Sequence, residues 1–147
     1  VNSFKSQLKK NPNGISFANI YVYGKSLDQP KYKYLRQLLK PKKKGYYEIN
    51  TDENIVEPRN IKPNAVIIFN DIVCCDQRII RDYFYFRRHK YTDCFYLYQT
   101  HSAIPKELIR DNTNFLIIYK QDQSNLKHIY DDHINVDMDF RMFKELC

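Results

Sequence analysis

Apolar residues in this chain gather into short clusters whose spacing alternates between that of a buried strand and that of a helix. Phe17 to Tyr23 is a β-branched and aromatic run, which predicts a buried strand. After a turn over Leu27 to Pro30, Tyr34, Leu35, Leu38 and Leu39 recur at helical spacing. They predict a helix from Tyr32 to Leu39, ended by Pro41 because proline cannot continue a helix ladder. Lys42-Lys43-Lys44-Gly45 reads as a basic loop, Tyr46 to Asn50 as another short strand, and the residues through Pro63 as a polar loop. The opening VNSFKSQLKKNPNG is a helix end or loop stopped by Pro12 and Gly14.

The second half has clearer boundaries. Ala65 to Phe69 is continuously apolar, the pattern of a strand covered on both faces of a parallel sheet. Asp76 to Phe86 follows as a helix with Ile79, Ile80, Tyr83 and Phe84 inward, then Cys94 to Tyr98 as a strand. Pro105 suits the first turn of a short helix over Ile104 to Arg110. Phe115 to Tyr119 reads as a further strand, and Ser124 to Tyr130 and Asp137 to Leu146 as helices. Strands alternating with helices imply a single three-layer α/β domain over residues 1–147 with a mostly parallel sheet.

Composition narrows the picture. An apolar fraction of 43% supports a folded core rather than a disordered chain. Three glycines are too few for a glycine-rich architecture. The formal charge of +7 (24 Lys and Arg against 17 Asp and Glu) favours polyanionic partners, although such lysines also keep a surface with 13 tyrosines soluble. Cys74, Cys75, Cys94 and Cys147 contain no C-x-x-C pair, so free thiols in a reducing, intracellular setting are expected. No apolar run reaches membrane-spanning length, the Lys- and Asn-rich start is unlike a signal peptide, and Val1 suits a fragment of a longer chain. His128 and His133 are spaced five apart, which does not put both imidazoles on one helical face for zinc.

Two segments bear on chemistry. Gly24-Lys25-Ser26 matches the end of a phosphate loop, G-x-x-x-x-G-K-[S/T], but the first glycine position is Asn19 and bulky Tyr21 to Tyr23 lie between. Successive backbone N–H groups cannot be expected to cradle phosphate there, and Leu27 to Pro30 offers no helix N-terminus to an anion. The second segment is AVIIFND, residues Ala65 to Asp71, an apolar strand ending in Asn70 and Asp71. Ligands of open α/β sheets bind at such carboxyl ends. In nucleotide hydrolases an acid there serves magnesium and a neighbour orients the attacking water, while an ordinary turn explains the same residues without chemistry. Gln99 ends the next apolar strand and can hydrogen-bond a terminal phosphate or water. Between them, Arg87-Arg88-His89-Lys90 is either a phosphate-reaching cluster or a helix end whose cations complement the macrodipole.

The stretches NIYVYGKSLDQPKYKYL, AVIIFNDIVC, IRDYFYFRRHKYTDCFYLYQTHSAIPKELIRDNTNFLIIYKQD and NLKHIYDDHINVDM together resemble the poxvirus-type virion DNA-packaging ATPases of the FtsK/HerA group of P-loop motors. The resemblance runs from about Asn19 to the end of the chain. It implies a RecA-like P-loop NTPase fold, incomplete at the N-terminus because the Walker A segment would lie upstream. It implies a viral ATPase that uses ATP and Mg2+ to drive double-stranded DNA into a capsid as a homo-oligomeric ring at a portal or vertex. In its terms Asn70 and Asp71 match the paired acids of the magnesium site, Gln99 the polar sensor, and Arg88 a trans-acting arginine finger. Asn70 departs from the pattern, since an amide replaces the magnesium-site acid, and Arg87 replaces a small residue. The expectation is a truncated copy that binds no ATP alone, with Lys42, Lys43 and Lys44 contacting nucleic acid. The alternative is a basic DNA- or motor-binding α/β module without turnover, or an inert viral remnant.

Overall fold

Among the described residues, four strands built from the apolar clusters pair into one all-parallel sheet. The computed structural model describes residues 17–50, 55–72, 77–86, 91–107 and 112–147. In chain order the elements are β1 (Asn19–Gly24), α1 (Pro30–Leu39), β2 (Gly45–Asn50), β3 (Ala65–Asn70), α2 (Gln77–Phe86), β4 (Thr92–Leu97), α3 (Gln123–Ile129) and α4 (Phe140–Leu146). From β1 the chain moves outward to β2, then returns past β1 to β3 and continues to β4. The order therefore reverses between β1 and β3, the position where open α/β sheets bind ligands.

Side chains alternate across the sheet, so each strand feeds two apolar layers. On one face Tyr21, Tyr23, Ile67 and Phe69 pack with Ile80, Tyr83 and Phe84 of α2. On the other, Ile20, Val22 and Val66 pack with Tyr32 and Leu39 of α1. The two crossovers that carry an α-helix, β1 to β2 and β3 to β4, run in opposite directions, and helices on opposite faces give them the same hand. β3 is thus covered on both sides, which is why its sequence is apolar without alternation.

Polar groups inside these layers find partners. Burial pushes the Tyr23 phenol up to about 12, partly offset by its contact with the Tyr83 hydroxyl. The Tyr23 and Tyr83 hydroxyls lie 3.2 Å apart, and Tyr83 donates to the Val56 carbonyl. Desolvation also raises the Tyr83 phenol well above its ordinary value, so both rings act as neutral hydrogen-bonding spacers. At the amino edge, Asn64 sits in the left-handed region (φ 54°) and its carbonyl accepts the Ala18 and Asn19 N–H groups. Gly45 is tight against this corner, since a Cβ would meet Asn19 Oδ1 at 2.4 Å.

The C-terminal third forms its own small core of Leu126, Ile129 and Phe143, with Leu116 and Ile118 packed against it. Asp122 caps α3 by accepting the Asn125 N–H at 2.8 Å, and Asp139 caps α4 through the Met142 N–H at 2.9 Å. The expected strand over Phe115 to Tyr119 does not form. That segment joins no ladder; Leu116 and Ile118 bury against the helices while Phe115, Ile117 and Tyr119 face outward. The helix expected from Asp137 begins instead at Phe140, after a π-helical turn over Tyr130–Ile134. Helical geometry within Ile104 to Arg110 is seen at Lys106 and Glu107, and residues 108–111 lie outside the described set. Among the described residues no helix is long and apolar enough to cross a membrane.

Candidate functional site at the carboxyl edge of the sheet

β1 and β3 end side by side at the point of order reversal, with Gly24 in register with Asn70. Glycine is favoured by proximity here, because a Cβ on Gly24 would stand 3.1 Å from Leu27 Cδ2 and 3.3 Å from the Asn70 carbonyl oxygen, both tight contacts. Asn70 is half-buried, and its Oδ1 lies at the limit of hydrogen bonding from Lys31 Nζ, at 3.5 Å. Asp71 takes the left-handed conformation (φ 54°), which Asp tolerates better than most residues. Its N–H donates to the Leu97 carbonyl at 2.9 Å, so the β3–β4 ladder continues one step past the strand end. The Asp71 side chain is left exposed at that edge. Gln99, two residues beyond β4, is exposed at the end of the neighbouring strand. The fold therefore brings Asn70, Asp71 and Gln99 to one edge of adjacent parallel strands.

This edge fits a divalent cation only weakly. Hard cations prefer carboxylate oxygen, and Asp71 is the one carboxylate the sequence places at the end of β3. A magnesium ion at Asn70 Oδ1 would have to displace the Lys31 ammonium.

Gly24-Lys25-Ser26 is no phosphate cradle. No residue from Gly24 to Gln29 has positive φ, and Leu27 folds against Gly24. The sequence placed the helix start at Tyr32, and α1 begins two residues earlier, at Pro30. That start lies beyond Ser26, Pro30 has no N–H, and the Tyr32 and Lys33 N–H groups already bond the Gln29 carbonyl.

The basic loop lies elsewhere. Lys43 and Lys44 precede β2 at the amino edge of the sheet, a strand length of ~20 Å from the Asp71 edge. Lys43 is exposed in the left-handed region, while Lys44 donates to the Phe17 carbonyl and lies 5.2 Å from the Phe17 ring centroid. Lys62 joins them at this edge, donating to the Tyr47 hydroxyl at 2.6 Å. The structure does not bring these lysines together with Asp71 and Gln99. The Lys42 side chain and the cluster Arg87 to Lys90, including Arg88, lie outside the described residues.

One buried polar network was not foreseen. Beyond Gln99 the chain turns through His101–Ala103, and His101 is almost fully buried. Its Nδ1 is 3.1 Å from the Tyr98 hydroxyl and its Nε2 is 3.3 Å from Asp132 Oδ2. Lys106 Nζ is 3.3 Å from the other Asp132 oxygen. Burial holds the His101 imidazole below its ordinary value, against the pull of Asp132. Burial would raise the Asp132 carboxyl, but hydrogen bonds from Lys106 and His101 outweigh it and hold the group low. No sequence spacing links His101 to a residue 31 positions later, so only packing reveals the pair.

Comparison of the chain with protein-family models, curated proteins and solved structures finds no match in any of the three. Fold and edge together define an all-parallel α/β protein with a candidate site where strand order reverses.

Proposed function

We propose that this chain is the acid-and-sensor half of a nucleotide-hydrolysing motor of the DNA-packaging kind. The observation that carries the reading is the adjacency of Asp71 and Gln99 at the ends of paired parallel strands, tied by the Asp71 N–H to Leu97 carbonyl bond. In such a site Asp71 orients water toward a terminal phosphate and Gln99 hydrogen-bonds that water or the phosphate. Asn70 supplies only a neutral oxygen to magnesium, which would neutralise charge on the phosphates when bound. Residues 1–147 contain no complete phosphate-loop spacing, so turnover is proposed for a protein that supplies one. Arg88, after α2, is proposed to act across a subunit boundary in a homo-oligomeric ring that handles double-stranded DNA.

The test is to fuse a glycine-rich phosphate-loop strand ahead of Val1 and measure magnesium-dependent ATP hydrolysis. The expected result is weak activity with Asn70, a gain of at least about ten-fold with Asn70→Asp, and its loss again on Gln99→Ala. Equal rates for the Asn and Asp forms would remove Asn70 from the metal and defeat the reading. A second reading, a basic DNA-binding module without turnover, is favoured by the separation of Lys43 from the Asp71 edge. It predicts DNA binding indifferent to nucleotide and to Asn70→Asp.

A further inference from the structure

We propose that Tyr98, His101 and Asp132 form a proton-sensitive latch that fastens the C-terminal helices to the end of β4. The inference rests on packing and hydrogen bonds alone and does not draw on the nucleotide reading. Three separate segments meet at His101. Tyr98 comes from the end of β4, His101 opens the 3-10 turn that packs against α3, and Asp132 lies in the π-helical turn after α3. This contact joins the small C-terminal core to the sheet core, whose buried set includes Ile104 just past the turn.

The neutral imidazole satisfies every partner in one arrangement. Nε2–H donates to Asp132 Oδ2, and Nδ1 accepts the Tyr98 O–H. Protonation adds a hydrogen to Nδ1, reverses that bond and strips the Tyr98 proton of its acceptor. Tyr98 does not ionise to compensate, because burial raises its phenol.

Charge disfavours the protonated form as well. Among the described residues, the groups facing His101 are Tyr98 from the end of β4, Lys106 from the following segment, His128 from α3, and Asp132 and His133 from the π-helical turn. The His133 ring centroid is 5.6 Å away, edge to face. Asp132 is the one acid in this set, and Lys106 already shares its charge. A cation on His101 would be held on a ring that is almost fully buried, where desolvation is costly. Because the folded imidazole titrates below its unfolded value, its contribution is complete above about pH 6.5 and is lost as pH falls through the folded value.

Amide hydrogen exchange on the whole chain, corrected for intrinsic rates, tests the latch between about pH 7.5 and pH 5. Protection of α3 and α4 is expected to fall at least about ten-fold relative to β1 and β3. His101→Gln stays neutral, its amide can still donate to Asp132, and its α3 and α4 protection should not change with pH. A native-like pH loss in the Gln variant overturns the proposal. In the native chain the His101 imidazole, followed by NMR, should titrate below about 6.5. A midpoint at or above that value overturns the latch even if the variant fails to fold.

Discussion

Phe69 sits between Tyr23 and Tyr83, with ring centroids 5.2 Å from each, and is fully buried. Phe69→Ala should cost about 3–5 kcal/mol, since both transfer energy and the contacts around the void are lost. Tyr83→Phe keeps the shape but removes the donor to the Val56 carbonyl, for a loss of about 1 kcal/mol. Urea unfolding of the two variants checks both values. By contrast, the Arg36–Glu48 pair bridges α1 and β2 at the surface, where such pairs contribute at most about 1 kcal/mol. The same scale holds the clearest limit of pattern reading. Asn70 and Asp71 stood out because they end an apolar run, whereas His101 and Asp132 carry no local pattern and become partners only through packing.

At the scale of elements, α4 is short, with seven residues, so it depends on its cap and on Phe143. Asp139→Ala should cost about 1 kcal/mol by leaving the Met142 N–H without its acceptor. The segment 115–119 supplies a sharper comparison. Ile117→Ser should stay within about 0.5 kcal/mol, because Ile117 is 65% exposed. Ile118→Ala should cost clearly more, because Ile118 packs on the C-terminal core. Equal losses in thermal unfolding would mean that both faces of the segment are covered. The apolar run read there as a strand forms no ladder; alternate residues of it, Leu116 and Ile118, pack on the C-terminal core instead.

For the whole molecule, the parallel sheet separates two groups of polar residues. The amino edge gathers Lys43, Lys44 and Lys62, and the carboxyl edge holds Asp71 and Gln99. DNA binding is expected to be weak and to fall steeply with salt, as released counterions require. Lys43→Ala should weaken it and lower the salt slope by about one, whereas Lys44→Ala also unfastens the loop from the Phe17 carbonyl. Fluorescence anisotropy across a salt series measures both. If neither change alters affinity, the amino edge is not the DNA contact. The same chain should not bind ATP at micromolar concentration, and Lys25→Ala should change nothing in calorimetry, because residues 24–29 form no cradle.

The sequence by itself determined the element types wherever an apolar cluster is continuous or strictly periodic. β1, β3, α1 and α2 follow from Phe17 to Tyr23, Ala65 to Phe69, Leu35 to Leu39 and Ile79 to Phe84, because burial on a strand or helix demands those spacings. It also placed Asp71 and Gln99 at strand ends. Only the tertiary structure decided the order β2-β1-β3-β4, since apolar spacing gives a strand its type but not its neighbours, and α1 and α2 had first to take opposite faces of the sheet. That choice put Asp71 beside Leu97 and separated both from the lysine loop. It also closed Tyr98, His101 and Asp132 into one buried network, because hydrogen bonds between distant segments exist only after the layers have packed.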